Sequence, residues 1–278
     1  MNPTTDADPV RDHYDRVSVL YRAFWGEHIH HGYWCAGQDG PVGEAQVRLV
    51  EHLAEWAGVP RGGRVLDVGC GVGGSARWLA AELGCAVDGI TLSPVQAGMA
   101  TEASQREAFH ERTRFWVHDA RRLDELDEAD YDAVWTVECS EHLAERSAFL
   151  AAAARRLRPG GVLALASWVR AEGPLDGRQE QLLADLCDGM ICPPLSTLAE
   201  LAAWAREAGL EAVGSEDWTP HVARTWDRVA RIARRPAVRA LVAASDERTR
   251  RFAEAFPTMQ RAYAEGALRY GVVAARVQ

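Results

Sequence analysis

Val65-Leu-Asp-Val-Gly-Cys-Gly-Val-Gly-Gly-Ser75 carries the decisive pattern of this 278-residue chain. A short apolar run, strand-like in length and rich in Val, enters a Gly-rich turn that opens a helix. Gly69, Gly71 and Gly73 have no Cβ, so the backbone can turn sharply and approach a ligand closely. Asp67 stands beside the turn. Gly69, Gly71 and Gly74 also fit the G-x-G-x-x-G spacing of a dinucleotide fingerprint, which makes a nicotinamide dehydrogenase one reading. That motif wants an acid at the end of the second strand. Ile90-Thr91-Leu92-Ser93 supplies Thr there.

Outward from the turn, strands alternate with helices. Arg64 to Val68 reads as the first strand and Gly74 to Leu83 as a helix closed by Gly84. Ala86 to Ile90, Arg114 to Val117, Tyr131 to Val137 and Val162 to Trp168 read as further strands. Ser93-Pro94 starts a helix, with Ser as N-cap and Pro at the first helical position. Leu143 to Leu157 reads as an Ala-rich helix stopped by Pro159-Gly160-Gly161. Thr197 to Ala208 is a helix with a Thr197/Glu200 capping box. Leu210 to Ser215 and Leu268 to Ala275 complete the strands. The alternation predicts an α/β, Rossmann-like fold with a mostly parallel seven-stranded sheet.

Three parts are expected: an N-terminal helical segment (1–60), a Rossmann-like core (61–170), and the remaining strands with a helical cap (171–278). In the first part, Val17, Leu20, Tyr21 and Phe24 recur at helical spacing, as do Val47, Val50, Leu53, Ala54 and Ala57. Arg170 to Ser196 and Glu216 to Gly266 exceed the minimal alternation. Material after strand ends lies over the ligand crevice of such a sheet, so these stretches are expected to form the acceptor pocket.

The formal charge of −9, with every basic residue an Arg, disfavours non-specific nucleic-acid binding. Cys35, Cys70, Cys85, Cys139, Cys187 and Cys192 form no C-x-x-C pair or zinc spacing, so reduced thiols are expected. Met1 to Val10 has no apolar core of a signal peptide. The longest mainly apolar run, Val162 to Val169, is far short of the roughly 20 residues of a membrane helix. These features predict a cytoplasmic protein without stable membrane insertion.

"VLDVGCGVGG" followed by "GITLSPVQ" resembles class I S-adenosylmethionine-dependent methyltransferases. More closely it is similar to the γ-tocopherol methyltransferase-like group, related to sterol and cyclopropane-fatty-acid methyltransferases. "YDRVSVLYRAFWGEHIHHGYW" (14–34), "ECSEH", "SEDW" and "GALRYGVV" extend the resemblance over most of the chain. It implies S-adenosylmethionine as cofactor. Asp67, Gly69 and Gly71 would hold the methionine amino end. Thr91, with Leu92 beside it, and Gln96 would stand at the ribose, where the commoner residue is acidic. Asp119 and Ala120 would meet the adenine, and Val137 would lie beneath the cofactor. Tyr33 or Trp34 would cover it. An aromatic face beside a sulfonium adds cation–π attraction.

Methyl transfer is an in-line displacement, so the protein must mainly align the partners and exclude water. A base is needed only where the acceptor loses a proton. Glu138, Glu141 and His142 follow the fourth strand and are the candidate catalytic residues, as base or cation stabiliser. Glu141 and His142 also suit the start of the following helix. In cyclopropane-type relatives a matching Glu-His pair binds an anion that serves as base, which the resemblance carries to Glu141 and His142.

Trp25, Trp34, Trp168, Trp204, Trp218 and Trp226 fall in or beside the cap stretches and would make an apolar or aromatic pocket. Arg224, Arg228, Arg231 and Arg235 form one face of an amphipathic helix, solvated or gripping a prenyl diphosphate. The acidic run of Asp124, Asp127, Glu128 and Asp130 reads as a surface loop. His28, His30 and His31 lack a further ligand at metal spacing, so segment packing and no metal are expected. The expected function is methyl transfer to a small lipophilic natural product, isoprenoid or aromatic, with a lean to carbon. The alternatives are N- or O-methylation of an alkaloid, sugar or polyketide, and a non-catalytic binding protein.

Overall fold

The computed structural model describes residues 7–127 and 130–278. Met1 to Asp6, Glu128 and the side chains of Leu20, Tyr21 and Phe24 lie outside the described residues. Helices α1 (Ala7–Trp25) and α2 (Val42–Ala57) precede the sheet. Then come β1 (Arg64–Val68), α3 (Gly74–Glu82), β2 (Ala86–Thr91), α4 (Pro94–Ser104), β3 (Thr113–Val117) and β4 (Tyr131–Val137). After these follow α5 (Arg146–Arg156), β5 (Leu157–Arg170), α6 (Gly177–Met190), α7 (Leu198–Glu207) and β6 (Leu210–Asp217). Short α8 (Thr219–Val222), α9 (Arg224–Ala233), α10 (Pro236–Ala243), α11 (Glu247–Ala264) and β7 (Leu268–Val277) close the chain.

The seven described strands run in the order β3-β2-β1-β4-β5-β7-β6, the Rossmann-like sheet that the alternation predicts. β1 pairs in parallel with β2 on one side and β4 on the other, so the chain reverses direction across the sheet at β1. Loops leaving the C-terminal ends of strands flanking such a point enclose the ligand crevice. β7 is antiparallel to both β5 and β6, which the alternation alone does not reveal. Along β1, Val65 belongs to one apolar layer and Leu66 and Val68 to the other. Burial on both faces explains why the strands read as unbroken apolar runs.

Sequence and structure differ at two junctions that matter for the site. β5 starts at Leu157, not Val162, with a register shift between Tyr131/Leu157 and Ala133/Val162 that absorbs Pro159-Gly160-Gly161. The next helix begins at Arg146, not Leu143. The residues between are drawn into a tight turn over Ser140–His142, because the Arg146 guanidinium donates to the carbonyls of Ser140, Glu141 and Pro194. α6 was hidden in the stretch from Arg170 to Ser196, although Asp176 and Gln179 form a capping box at its start. Helix α6 packs against α11, where Gly189 lets the two backbones approach at Ala255. Helices α9 and α10 pack on α11 as well.

Candidate active site

The Gly-rich turn is held from beneath: the N–H groups of Gly69 and Cys70 both donate to the Ile90 carbonyl at 2.9 Å. Gly69 has φ 78°, and a Cβ there would lie 2.5 Å from Cys139. Gly71 has φ 54°, but a Cβ there would meet nothing within 4 Å. The turn therefore leaves an open edge on a cavity of about 650 Å³. Asp67 lines that cavity although 2 % exposed. The Ala76 backbone N–H serves its carboxylate, but Oδ2 is buried with no partner among the described residues. Burial outweighs that hydrogen bond and pushes the carboxyl up to about 7.

Thr91, Leu92, Gln96, Asp119, Ala120 and Val137 line the same cavity. The Thr91 hydroxyl donates to Gln96 Oε1 at 2.7 Å. Ser93 Oγ accepts from the Gln96 N–H at 3.1 Å, as its N-cap position demands. Asp119 is held by the backbone and guanidinium of Arg121, whose bonds keep its carboxyl low against burial.

Tyr33 and Trp34 do not line this cavity. The chain turns away after His31, because Gly32 packs against Ala45 where a Cβ would lie 2.5 Å from that side chain. Tyr33 instead stacks on His221 at 4.4 Å, and the Trp34 indole donates to Thr225 Oγ1 at 3.3 Å. The cover comes from Val10 and Tyr14 of α1 and from Glu27 to His30. Gly74 admits that segment: a Cβ there would stand 2.1 Å from the Glu27 carbonyl oxygen. Tyr14 lay within the N-terminal resemblance, but its reach across the sheet edge depends on how α1 docks. Asp15 of α1 receives the Ser93 hydroxyl, tying the cover to the start of α4.

Glu138 and His142 line the cavity, and both also line a small inner chamber behind it. Glu138 has φ 52°, a strained value for a side chain other than Gly. Its Oε1 accepts from the His31 N–H (2.7 Å), His31 Nδ1 (2.9 Å) and the Tyr270 hydroxyl (2.9 Å). Its Oε2 accepts from Trp168 Nε1 at 2.9 Å. Burial opposes ionisation, but the electrostatic attraction and hydrogen bonds of His31, with His30 behind it, outweigh burial and hold the carboxyl at about 2. Burial pushes His142 down to about 4. His142 Nδ1 faces the Ile191 carbonyl at 3.3 Å, and Nε2 takes the Tyr14 hydroxyl at 2.9 Å.

Glu141 lines neither space. It is wholly buried, its Oε2 accepts from Ser167 at 2.9 Å, and its Oε1 has no partner. Burial, then the charge of Glu138, pushes its carboxyl up to about 8. The implied Glu141-His142 pair is thus divided by the turn at Ser140–His142, which turns only His142 to the cavity.

Trp25, Trp168 and Trp226 line the inner chamber with Phe252. Trp34, Trp204 and Trp218 pack elsewhere. None of Arg224, Arg228, Arg231 and Arg235 lines the cavity or the inner chamber. Arg224 and Arg228 pair with Asp39 and cover the Trp34 ring, while Arg231 and Arg235 are exposed. Asp124 pairs with Arg155 at the surface. His28 and His30 bond to each other at 3.1 Å and burial lowers both, so they pack as neutral rings. No described helix is long and apolar enough to cross a membrane.

Residues 1–269 match the family model described as mycolic acid cyclopropane synthetase. The chain belongs to that family. As a member of the mycolic acid cyclopropane synthetase family it is an S-adenosylmethionine-dependent methyltransferase. It is 30% identical to a probable chloroplastic tocopherol O-methyltransferase of Oryza sativa subsp. japonica, over 95% of this chain and 76% of that protein. It is 34% identical to the 27-O-demethylrifamycin SV methyltransferase of Amycolatopsis mediterranei, over 78% of this chain and 79% of that one. The fold matches a cyclopropane synthase of Mycobacterium tuberculosis with a TM-score of 0.85 at 21% identity, covering 99% of this chain and 100% of that one. The cavity suits the cofactor of the cyclopropane synthetase family: the unpartnered Asp67 oxygen can receive an ammonium, and the open edge at Gly71 can receive the nucleoside.

Proposed function

We propose that the protein methylates carbon in a small lipophilic natural product held between the inner chamber and the cofactor cavity. One observation carries this reading: the charge facing both spaces is a carboxylate that accepts four hydrogen bonds and is held in ionised form by His31. A carboxyl held at about 2 is a poor base but a strong fixed anion. The aromatic faces of Trp25, Trp168 and Trp226 around it add attraction for positive charge. Such surroundings stabilise a carbocation formed when an alkene or electron-rich ring takes a methyl group.

S-adenosylmethionine, when bound, supplies an electrophilic methyl group. Asp67, Gly69 and Gly71 would hold its amino end, Thr91 and Gln96 its ribose, and Asp119 and Ala120 its adenine. Tyr14 and the segment from Glu27 to His30 would exclude water. Neutral His142 lines both spaces and would receive a proton from the acceptor.

Oxygen methylation is the second reading. Two relatives bear names of O-methylating enzymes, and His142 could take a hydroxyl proton. The deciding experiment supplies a prenylated hydroquinone, geranyl diphosphate and a polyketide to the parent and to Glu138→Gln. Carbon methylation predicts turnover reduced on the order of a hundredfold, with cofactor Kd changed about threefold. An oxygen-methylated product with turnover in the variant close to the parent's removes Glu138 from the mechanism.

A further inference from the structure

The charge of the chain is unevenly spread. It is −9 in total, yet residues 228–245 hold five Arg and no Asp or Glu. Arg228 is taken up by Asp39. Arg231, Arg234, Arg235 and Arg239 are exposed, and their guanidiniums pair with no carboxylate among the described residues. The acids just beyond are committed elsewhere. Asp246 pairs with Arg16 at 3.1 Å and caps α11, and Glu247 pairs with Arg251 at 3.1 Å. Uncompensated positive charge therefore covers α9, the junction after it and α10.

The other face of the same two helices is apolar. Val229, Ile232, Val238, Leu241 and Val242 line a groove of about 90 Å³, with Phe256 of α11 across from them. Ser245 also lines it, but its hydroxyl turns back to the Leu241 carbonyl at 2.8 Å. Leu241 lines the groove and is still 41 % exposed, so it marks the mouth. Trp25 and Phe252 line both this groove and the inner chamber, so the two spaces share a wall.

We propose that α9 and α10 dock the protein on an anionic lipid surface, with Arg231, Arg234, Arg235 and Arg239 among the headgroups and Leu241 at the acyl boundary. The acceptor then passes from the lipid into the groove and, beyond Trp25 and Phe252, into the inner chamber. The charge pattern selects the partner. No guanidinium lines the groove, so the four do not converge on one phosphate as a bidentate site demands. Spread over two helices, they suit a field of many headgroups, where each cation near an anionic leaflet strengthens binding about fivefold. The exposed Leu241 adds an apolar contact with acyl chains. The docking is peripheral, since no described helix is long and apolar enough to cross a membrane. The proposal rests on reading the acceptor as lipophilic. Failure of that reading shows in the products of the parent, whereas docking is measured with neither acceptor nor cofactor present.

The test is flotation of the full chain with vesicles of phosphatidylcholine, alone or with about one third phosphatidylglycerol, at about 50 to 500 mM salt. The parent should bind the anionic vesicles only, and less as salt rises. Arg234→Gln/Arg235→Gln/Arg239→Gln should bind them about a hundredfold more weakly, about fivefold for each cation removed. Leu241→Asp should bind at least about tenfold more weakly. Both variants should keep the parental cofactor Kd by calorimetry, since none of these side chains lines the cofactor cavity. Hydrogen exchange should slow in α9 and α10 when anionic vesicles are added. With a prenylated hydroquinone carried in anionic vesicles, KM should rise about tenfold in the triple variant at unchanged kcat, and in neutral micelles the parental KM should return. Equal binding to neutral vesicles, parental binding by either variant, or protection confined to other helices would each overturn the proposal. So would binding to soluble polyglutamate as tight as to anionic vesicles, or a dimer that protects α9 and α10 without lipid.

Discussion

Asp67 predicts an unusual pH dependence of cofactor binding. Its carboxyl sits at about 7 because burial penalises the charge and Oδ2 has no partner. An incoming ammonium favours the ionised form, so binding below pH 7 must release the Asp67 proton. At pH 6 about one molecule in eleven is ionised beforehand, against about ten in eleven at pH 8, so the apparent Kd should weaken about tenfold on the acid side. The ligand's own amino group loses its proton at about 7.7–8.0, so affinity falls again above that range. Calorimetry in buffers of differing ionisation enthalpy reads both the affinity and the proton released. Asp67→Asn should lose the acid limb, keep the alkaline one, and bind about 10–150-fold more weakly at pH 7.5, the value of a lost charged hydrogen bond of about 1.5–3 kcal/mol. An acid limb retained in Asp67→Asn, or a parental profile flat from pH 6 to 7.5, would refute the assignment of this carboxylate to the amino end.

Gly74→Ala should drive the segment from Glu27 to His30 off the turn, since its Cβ would stand 2.1 Å from the Glu27 carbonyl oxygen. Faster hydrogen exchange there, with at least about tenfold weaker cofactor binding, is expected; parental exchange would show that the segment does not rest on Gly74. Glu141→Gln tests the buried carboxyl through stability. Its folded value of about 8 lies above the ordinary 4.5, so the folded state holds the extra proton and the parent loses stability as pH rises from 4.5 to 8. The variant should match the parent near pH 4.5 and exceed it on the order of 4 kcal/mol by pH 8, read from denaturant midpoints at each pH. Equal pH dependence in the two proteins would place Glu141 in contact with solvent or a counter-charge.

The Gly-rich turn was legible because its residues have little alternative: positive φ at Gly69, Gly71 and Gly73 needs glycine, and the strand before it is apolar on both faces. The same holds for the N-cap of α4 at Ser93 and the capping box of α7, where a side chain acts within three residues of itself. The resemblance could nominate Asp67, Thr91, Gln96, Asp119 and Val137, which lie at the ends of strands or just beyond them, and strand ends converge on one crevice.

What tertiary structure alone decided involves contacts between residues of different elements. Tyr33 and Trp34 look well suited to cover a sulfonium, but the packing of Gly32 on Ala45 sends them behind α2, while Tyr14 meets His142 from 128 positions away. Glu138 and Glu141 are two carboxyls of one short turn, yet one is held at about 2 and the other at about 8. The difference comes from His31, whose attraction and hydrogen bonds act on Glu138, and from the charge of Glu138, which raises Glu141 further. Local pattern sets which elements form and where a ligand crevice opens. The charge state of a buried group depends on which partners the completed fold brings to it, and that information is not local.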